Sequence, residues 1–151
     1  FGSVPIATIP ADEPWKLLGR RIEVTLYDLT GDVTQVHVRL YFQIWKVEGL
    51  TAYTRFSRFE LARDYVRGLT RRKSSKVTAI TNVFTKDGYK IRVTAITWTT
   101  YRCKTSQISA IRKAMMELIN SFAAEHTLDE LLLNVVSGEL QQKLFEAAKK
   151  I

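Results

Sequence analysis

The sequence predicts an α+β fold: an antiparallel, barrel-like β core built from two hairpins and an extra strand, one helix between the hairpins, and three C-terminal helices packed around it. Three observations carry this prediction. Apolar and polar residues alternate over long stretches of the first two thirds, a four-residue repeat interrupts them between 60 and 72, and the last third keeps the three-and-four spacing of buried helix faces. With 151 residues, 46% of them hydrophobic, the chain is expected to form one domain with a real core. That domain reads as an irregular lead (1–19), a barrel core (20–101) with a helix inserted at 60–72, and a helical part (105–151).

The lead carries Pro5, Pro10 and Pro14, which discourage regular pairing. Ile22, Val24 and Leu26 then alternate with polar residues as in a half-buried strand, and Leu29-Thr30-Gly31-Asp32 has turn chemistry. A longer strand follows, with Val36, Val38, Leu40, Phe42 and Ile44 on one face and His37, Arg39, Tyr41, Gln43 and Trp45 on the other. These two segments read as an antiparallel hairpin, and residues 50–56 supply the extra strand. From Glu60 the period changes. Leu61, Tyr65 and Leu69 recur every four residues as a core face, while Arg63, Arg67 and Arg71 recur roughly 200° away as a cationic stripe.

The second hairpin pairs 77–84 with 89–101 across Lys86-Asp87-Gly88. Beyond Ala95 both of its faces turn apolar or aromatic, the pattern of a sheet closed on itself. Trp45, Trp98 and the tyrosines on alternating strands are expected in the core. Thr105 or Ser106 is placed to cap a helix whose Ile108, Ile111, Met115, Leu118 and Phe122 form a buried stripe. Thr127-Leu128-Asp129-Glu130 is a capping box for a second helix, stopped by Gly138. Its Leu128, Leu131, Leu132, Val135 and Val136 make an apolar surface wide enough to face both the core and a neighbouring protein. The last helix carries Leu140, Leu144 and Ala148 and reaches Ile151 without a stop signal, so the chain is expected to be a fragment of a longer one.

Charge narrows the function. Residues 55–113 hold fifteen Lys and Arg against three Asp and Glu, a net of +12, whereas residues 1–54 are at −1 and residues 114–151 at −3. Single-signed clustering of this kind attracts a polyanion. Arginine grips phosphate with two donors, so an arginine stripe suits a nucleic-acid backbone and reads it without much sequence preference. Residues 71–76, RRKSSK, prolong the stripe, and a second basic group, Arg102, Lys104, Thr105 and Ser106, precedes a helix that also carries Arg112 and Lys113. The expected RNA-binding residues are Arg55, Arg58, Arg63, Arg67, Arg71, Arg72, Lys73, Ser74, Ser75, Lys76, Arg102, Lys104, Thr105, Ser106, Arg112 and Lys113. RRKSSK also contains the short basic kinase pattern ahead of Ser74, a weaker reading.

Catalysis finds little support. His37 and His126 have no nucleophile or acid placed near them by sequence, Glu60 and Asp64 read as partners of Arg63 and Arg67, and Cys103 is a lone thiol. No glycine-rich phosphate loop, metal-ligand spacing, signal peptide or membrane-length apolar run is present, so no enzyme, cofactor, metal, membrane or small-molecule substrate is expected.

Several long stretches resemble one known family. TLYDLTGD (25–32), VHVRLYFQ (36–43), ELARDYVRGLTRRKSSK (60–76), TKDGYKIRV (85–93), TTYRCKTSQ (99–107), AIRK (110–113) and EAAKKI (146–151) are similar to the S3Ae family of small-subunit ribosomal proteins of archaea and eukaryotes. The resemblance implies a β-barrel core with helices around it, lacking the family's N- and C-terminal tails. It implies a cytoplasmic, structural constituent of the small subunit that binds rRNA at the platform, near the mRNA exit and the 3′ end of the small-subunit rRNA. Neighbouring platform proteins and mRNA near the exit are the further partners it implies. The alternative reading is a non-integral RNA-binding module that joins the translation machinery transiently.

Overall fold

The computed structural model describes residues 4–151, so of the lead expected over 1–19 the first three residues lie outside the described ones. The fold is α+β, and the chain divides into two compact units, the first ending at Leu69 and the second running Thr70–Ile151.

In the first unit, an irregular lead with one 3₁₀ turn at Pro14–Leu17 precedes β1 (Arg21–Thr25), the short α1 (Leu26–Thr30), β2 (Val38–Glu48), β3 (Thr51–Leu61) and α2 (Arg63–Gly68). The strands form an antiparallel sheet in the order β1-β2-β3. Alternation behaves as expected within β2, where Val38, Leu40, Phe42 and Ile44 are all buried, and the Phe42 ring meets Phe56 of β3 edge to face. Val36, expected on the same face, lies ahead of the strand at the end of a 3₁₀ turn and is exposed. The turn expected at Leu29–Asp32 is instead the end of α1. Thr25 and Asp28 close a capping box at its start, and Gly31, at φ 75°, ends it in the left-handed conformation that costs a residue with a Cβ most. Trp45 is not in the core; it falls at a register shift between Ile44 and Lys46, loses a cross-strand partner and is exposed.

The inserted helix is shorter than the sequence predicts. Glu60 and Leu61 are in β3, paired with Arg39 and Val38, and the helix spans only Arg63–Gly68. Ladder hydrogen bonds to β2 outweigh the four-residue repeat there, and Tyr65 and Leu69, expected as core, are exposed. Tyr65 stacks instead on the His37 ring, with centroids 3.8 Å apart.

In the second unit, β4 (Lys76–Phe84) and β5 (Lys90–Trp98) form an antiparallel hairpin, followed by α3 (Thr105–Glu125), α4 (Leu128–Ser137) and α5 (Glu139–Lys149). One face of the hairpin packs on helix: Val77 and Ala79 meet Ile111 and Met115, and Val83 meets Ile119, Ala123 and Leu131, with Leu144 of α5 against both groups. The closed barrel is therefore not formed. Among the described residues the five strands make a three-stranded and a two-stranded sheet, and helix α3 covers the apolar face of the second hairpin that barrel closure was expected to cover. The two apolar faces beyond Ala95 have another explanation: Trp98 and Ile96 are half-buried on the face opposite α3, while Tyr101 lies past the strand end and is exposed.

The α4 capping box is formed as the sequence predicts. Thr127 Oγ1 accepts from Glu130 N, Glu130 Oε2 accepts from Thr127 N at 2.9 Å, and Gly138 ends the helix at φ 90°. Accepting the Thr127 backbone N–H, and then the Thr127 hydroxyl bond, holds the Glu130 carboxyl below its ordinary value of 4.5. A lowered carboxyl pKa stabilises the fold above the ordinary value and loses that contribution as pH falls through the folded one. Far-UV circular dichroism is expected to show helix melting more easily below about pH 4.5 in the natural chain, and less of this acid sensitivity in Glu130→Gln.

Candidate nucleic-acid interface

The expected RNA-binding cations of the first unit, Arg55, Arg58, Arg63 and Arg67, sit on β3 and α2 and are mostly engaged. Arg58 pairs with Glu60 at 2.9 Å and lies over the Tyr41 ring at 5.7 Å, and Arg55 leans towards Gln43. Arg63 and Arg67 stand one turn apart on α2, Arg67 3.9 Å from Asp64 with both side chains largely exposed, a pair worth little in water. The three-arginine helical stripe is not built, because α2 ends at Gly68 and Arg71 belongs to the second unit.

In the second unit, residues 71–74 make a turn rather than a helix end. Ser74 N and Ser74 Oγ both donate to Arg71 O, the hydroxyl at 2.7 Å, and Lys73 takes a left-handed φ of 64°. A left-handed lysine carries a small backbone strain, offset here by the doubled Ser74 bond. Arg71, Arg72 and Lys73 are thereby thrown outward, exposed and outside every ion pair among the described residues.

Ser75 does something no local pattern shows. Its N–H donates to Thr99 Oγ1 at 3.0 Å, its carbonyl accepts from Thr99 N at 3.0 Å, and its Oγ accepts from Cys103 N at 3.1 Å. These bonds tie the RRKSSK loop to the 99–104 loop. The two basic groups that the sequence presents separately thus adjoin, bringing Arg71, Arg72 and Lys73 into one neighbourhood with Arg102 and Lys104. Ser74 and Ser75, expected as hydroxyls beside phosphate, are half-buried and spent on the loop itself. Lys76 begins β4 on the face opposite α3.

The helix cap lies ahead of both residues expected to supply it. Lys104 occupies the N-cap, its N–H bonded to Gln107 Oε1 at 3.1 Å, so Thr105 and Ser106 fall in the first turn rather than at the cap. Their amides point out of the helix end, where an anion is favoured. Arg112 is structural in part: its Nε donates to Thr78 O of β4 at 3.0 Å, which fixes the helix to the hairpin. Lys113 stands 4.0 Å from Glu117 with both side chains exposed.

The residues considered for catalysis have structural partners. His37 is stacked on Tyr65. His126 stacks on Phe122, with Nδ1 2.9 Å from Phe122 O. Among the described residues, no group of three or more His, Cys, Asp or Glu is placed to hold a metal ion, and no helix is long and apolar enough to cross a membrane. A shallow groove of 170 Å³ between α3 and α5, lined by Leu118, Phe122, Leu140 and Lys143, is smaller than the roughly 300–1,000 Å³ that small-molecule sites occupy.

A family model described as the Ribosomal S3Ae family matches residues 1–151. Curated relatives are similar along the whole chain. The small ribosomal subunit protein eS1 of Aeropyrum pernix is 58% identical, with all of this chain and 72% of that protein covered. Its namesakes from Staphylothermus marinus and Desulfurococcus amylolyticus are 56% and 54% identical, each match covering all of this chain and 71% of the relative.

Proposed function

The chain belongs to the ribosomal S3Ae family, and from that premise we propose that it is a structural constituent of the small ribosomal subunit that holds rRNA by phosphate neutralisation. The relatives are small ribosomal subunit proteins, which fits a surface of unpaired cations. The observation that carries the rRNA reading is the Ser75 tether, which gathers Arg71, Arg72, Lys73, Arg102 and Lys104 on two joined loops without a carboxylate in an ion pair among them. Guanidinium groups left unpaired on loops tied together in this way keep their donors for phosphate. The N-terminal amides of α3 add a dipole of the same sign.

The platform position, near the mRNA exit and the 3′ end of the small-subunit rRNA, is supported by the resemblance of the sequence stretches to the family. Neighbouring platform proteins are the partners suited to the half-buried apolar residues of α4, where Leu133 is also exposed. An integral protein is expected to stay with small subunits through a high-salt wash and sedimentation. Quantitative release into the supernatant would mean the transient, non-integral module instead.

A further inference from the structure

The hairpin β4–β5 has a second face, opposite α3, which the rRNA reading above does not use except at Lys76. The register sets out its cross-strand pairs as Phe84 with Lys90, Asn82 with Arg92, Ile80 with Thr94, Thr78 with Ile96, and Lys76 with Trp98. Phe84 and Ile80 are 61% and 60% exposed, although both lie on a regular strand where burial would cost nothing in hydrogen bonding. Lys90 Nζ sits 5.9 Å from the centre of the Phe84 ring, and Arg92 Nε is held by Asn82 Oδ1 at 3.2 Å. Lys76, Lys90 and Arg92 make no ion pair among the described residues, and no pair on this face contains a carboxylate.

We propose that this face binds a single-stranded segment of RNA, with one base stacked on Phe84 and the flanking phosphates taken by Lys90 and Arg92. Charge selects an anionic partner, and an exposed ring beside cations selects one that offers flat unpaired bases as well as phosphates. A duplex keeps its bases stacked on each other and has no use for the Phe84 ring. Alternate residues on a strand advance by about 6.7 Å, so Lys90 and Arg92 present charge at the step of an extended nucleotide chain. Asn82 holds the Arg92 guanidinium through Nε and leaves its two terminal nitrogens for a phosphate. A neighbouring protein would meet three uncompensated cations here, which favours RNA as the occupant.

This inference rests on the chain being an RNA-binding protein, and its test separates the two. The full chain is titrated by fluorescence anisotropy with an oligouridylate, which has no structure, and with a fully paired RNA duplex. Phe84→Ala is expected to weaken oligouridylate binding roughly tenfold and leave the duplex unchanged, with Phe84→Tyr restoring affinity. Lys90→Ala with Arg92→Ala is expected to flatten the salt dependence for oligouridylate by about 1.4. Oligouridylate affinity that ignores Phe84→Ala, equal losses on both probes, or no binding of oligouridylate by the natural chain would each overturn the proposal; the first is also the result if the face takes a protein. Replacement of Arg71, Arg72 and Lys73 provides the separate arm. Duplex binding that ignores those substitutions sinks the loop-based reading whatever Phe84 does.

Discussion

Replacing Ile119 with Ala is expected to cost about 2–5 kcal/mol of stability. Ile119 is 2% exposed and lies where α3, β4 and α4 meet, against Val83, Ala123 and Leu131, with Val135 and Leu144 behind them. Truncation removes three carbons from a site walled by elements that cannot all close inward. Ala123 offers only a methyl that cannot swing into the gap, and β4 is held in register by its ladder to β5. The cost is therefore the lost transfer energy plus a cavity that persists. Urea unfolding followed by far-UV circular dichroism reads mainly α3, α4 and α5, the helices at stake. Ile119→Val, which keeps most of the volume, is expected to cost about 1 kcal/mol. A loss below 1 kcal/mol for Ile119→Ala would show that α3 does not pack on the hairpin as described.

Replacing Arg71, Arg72 and Lys73 together with Ala is expected to lower the dependence of log affinity on log salt by roughly 2 to 3 for rRNA fragments. Each removed phosphate contact forgoes the release of about one counterion, so the difference vanishes near 1 M salt and grows to roughly a hundredfold to a thousandfold one decade lower. Stability is expected to hold, because the three side chains are exposed and the turn is made by the Ser74 bonds to Arg71 O, which Ala at 71 retains. A filter-binding titration over a salt series checks this. Unchanged slope and affinity would remove the RRKSSK loop from the RNA-binding surface.

These expectations depend on features that were unequally legible. The buried faces of β2 and α3 follow from local periodicity, since Leu40, Phe42 and Ile44 or Ile111, Met115 and Phe122 have nowhere else to put their apolar surface. The α4 cap was readable for the same reason: Thr127 and Glu130 act within one turn. The helix at 60–72 misled because its four-residue repeat competed with pairing to a strand about twenty residues earlier, which a local pattern does not contain. Exposure of Trp45 likewise came from a register shift visible only once β2 and β3 are paired.

The cationic composition was the strongest functional signal in the sequence, because a net charge of +12 over residues 55–113 is a property of the residues themselves. Family membership was legible too, through long stretches that match whatever the fold does with them. What the tertiary structure decided is which cations act together. Glu60 neutralises Arg58, the chain leaves α2 before Arg71, and Ser75 reaches across twenty-four residues to Thr99 and twenty-eight to Cys103 to join two basic loops. Long-range hydrogen bonds and ion pairs assign partners by distance in space, and neither spacing nor periodicity along the chain encodes that distance.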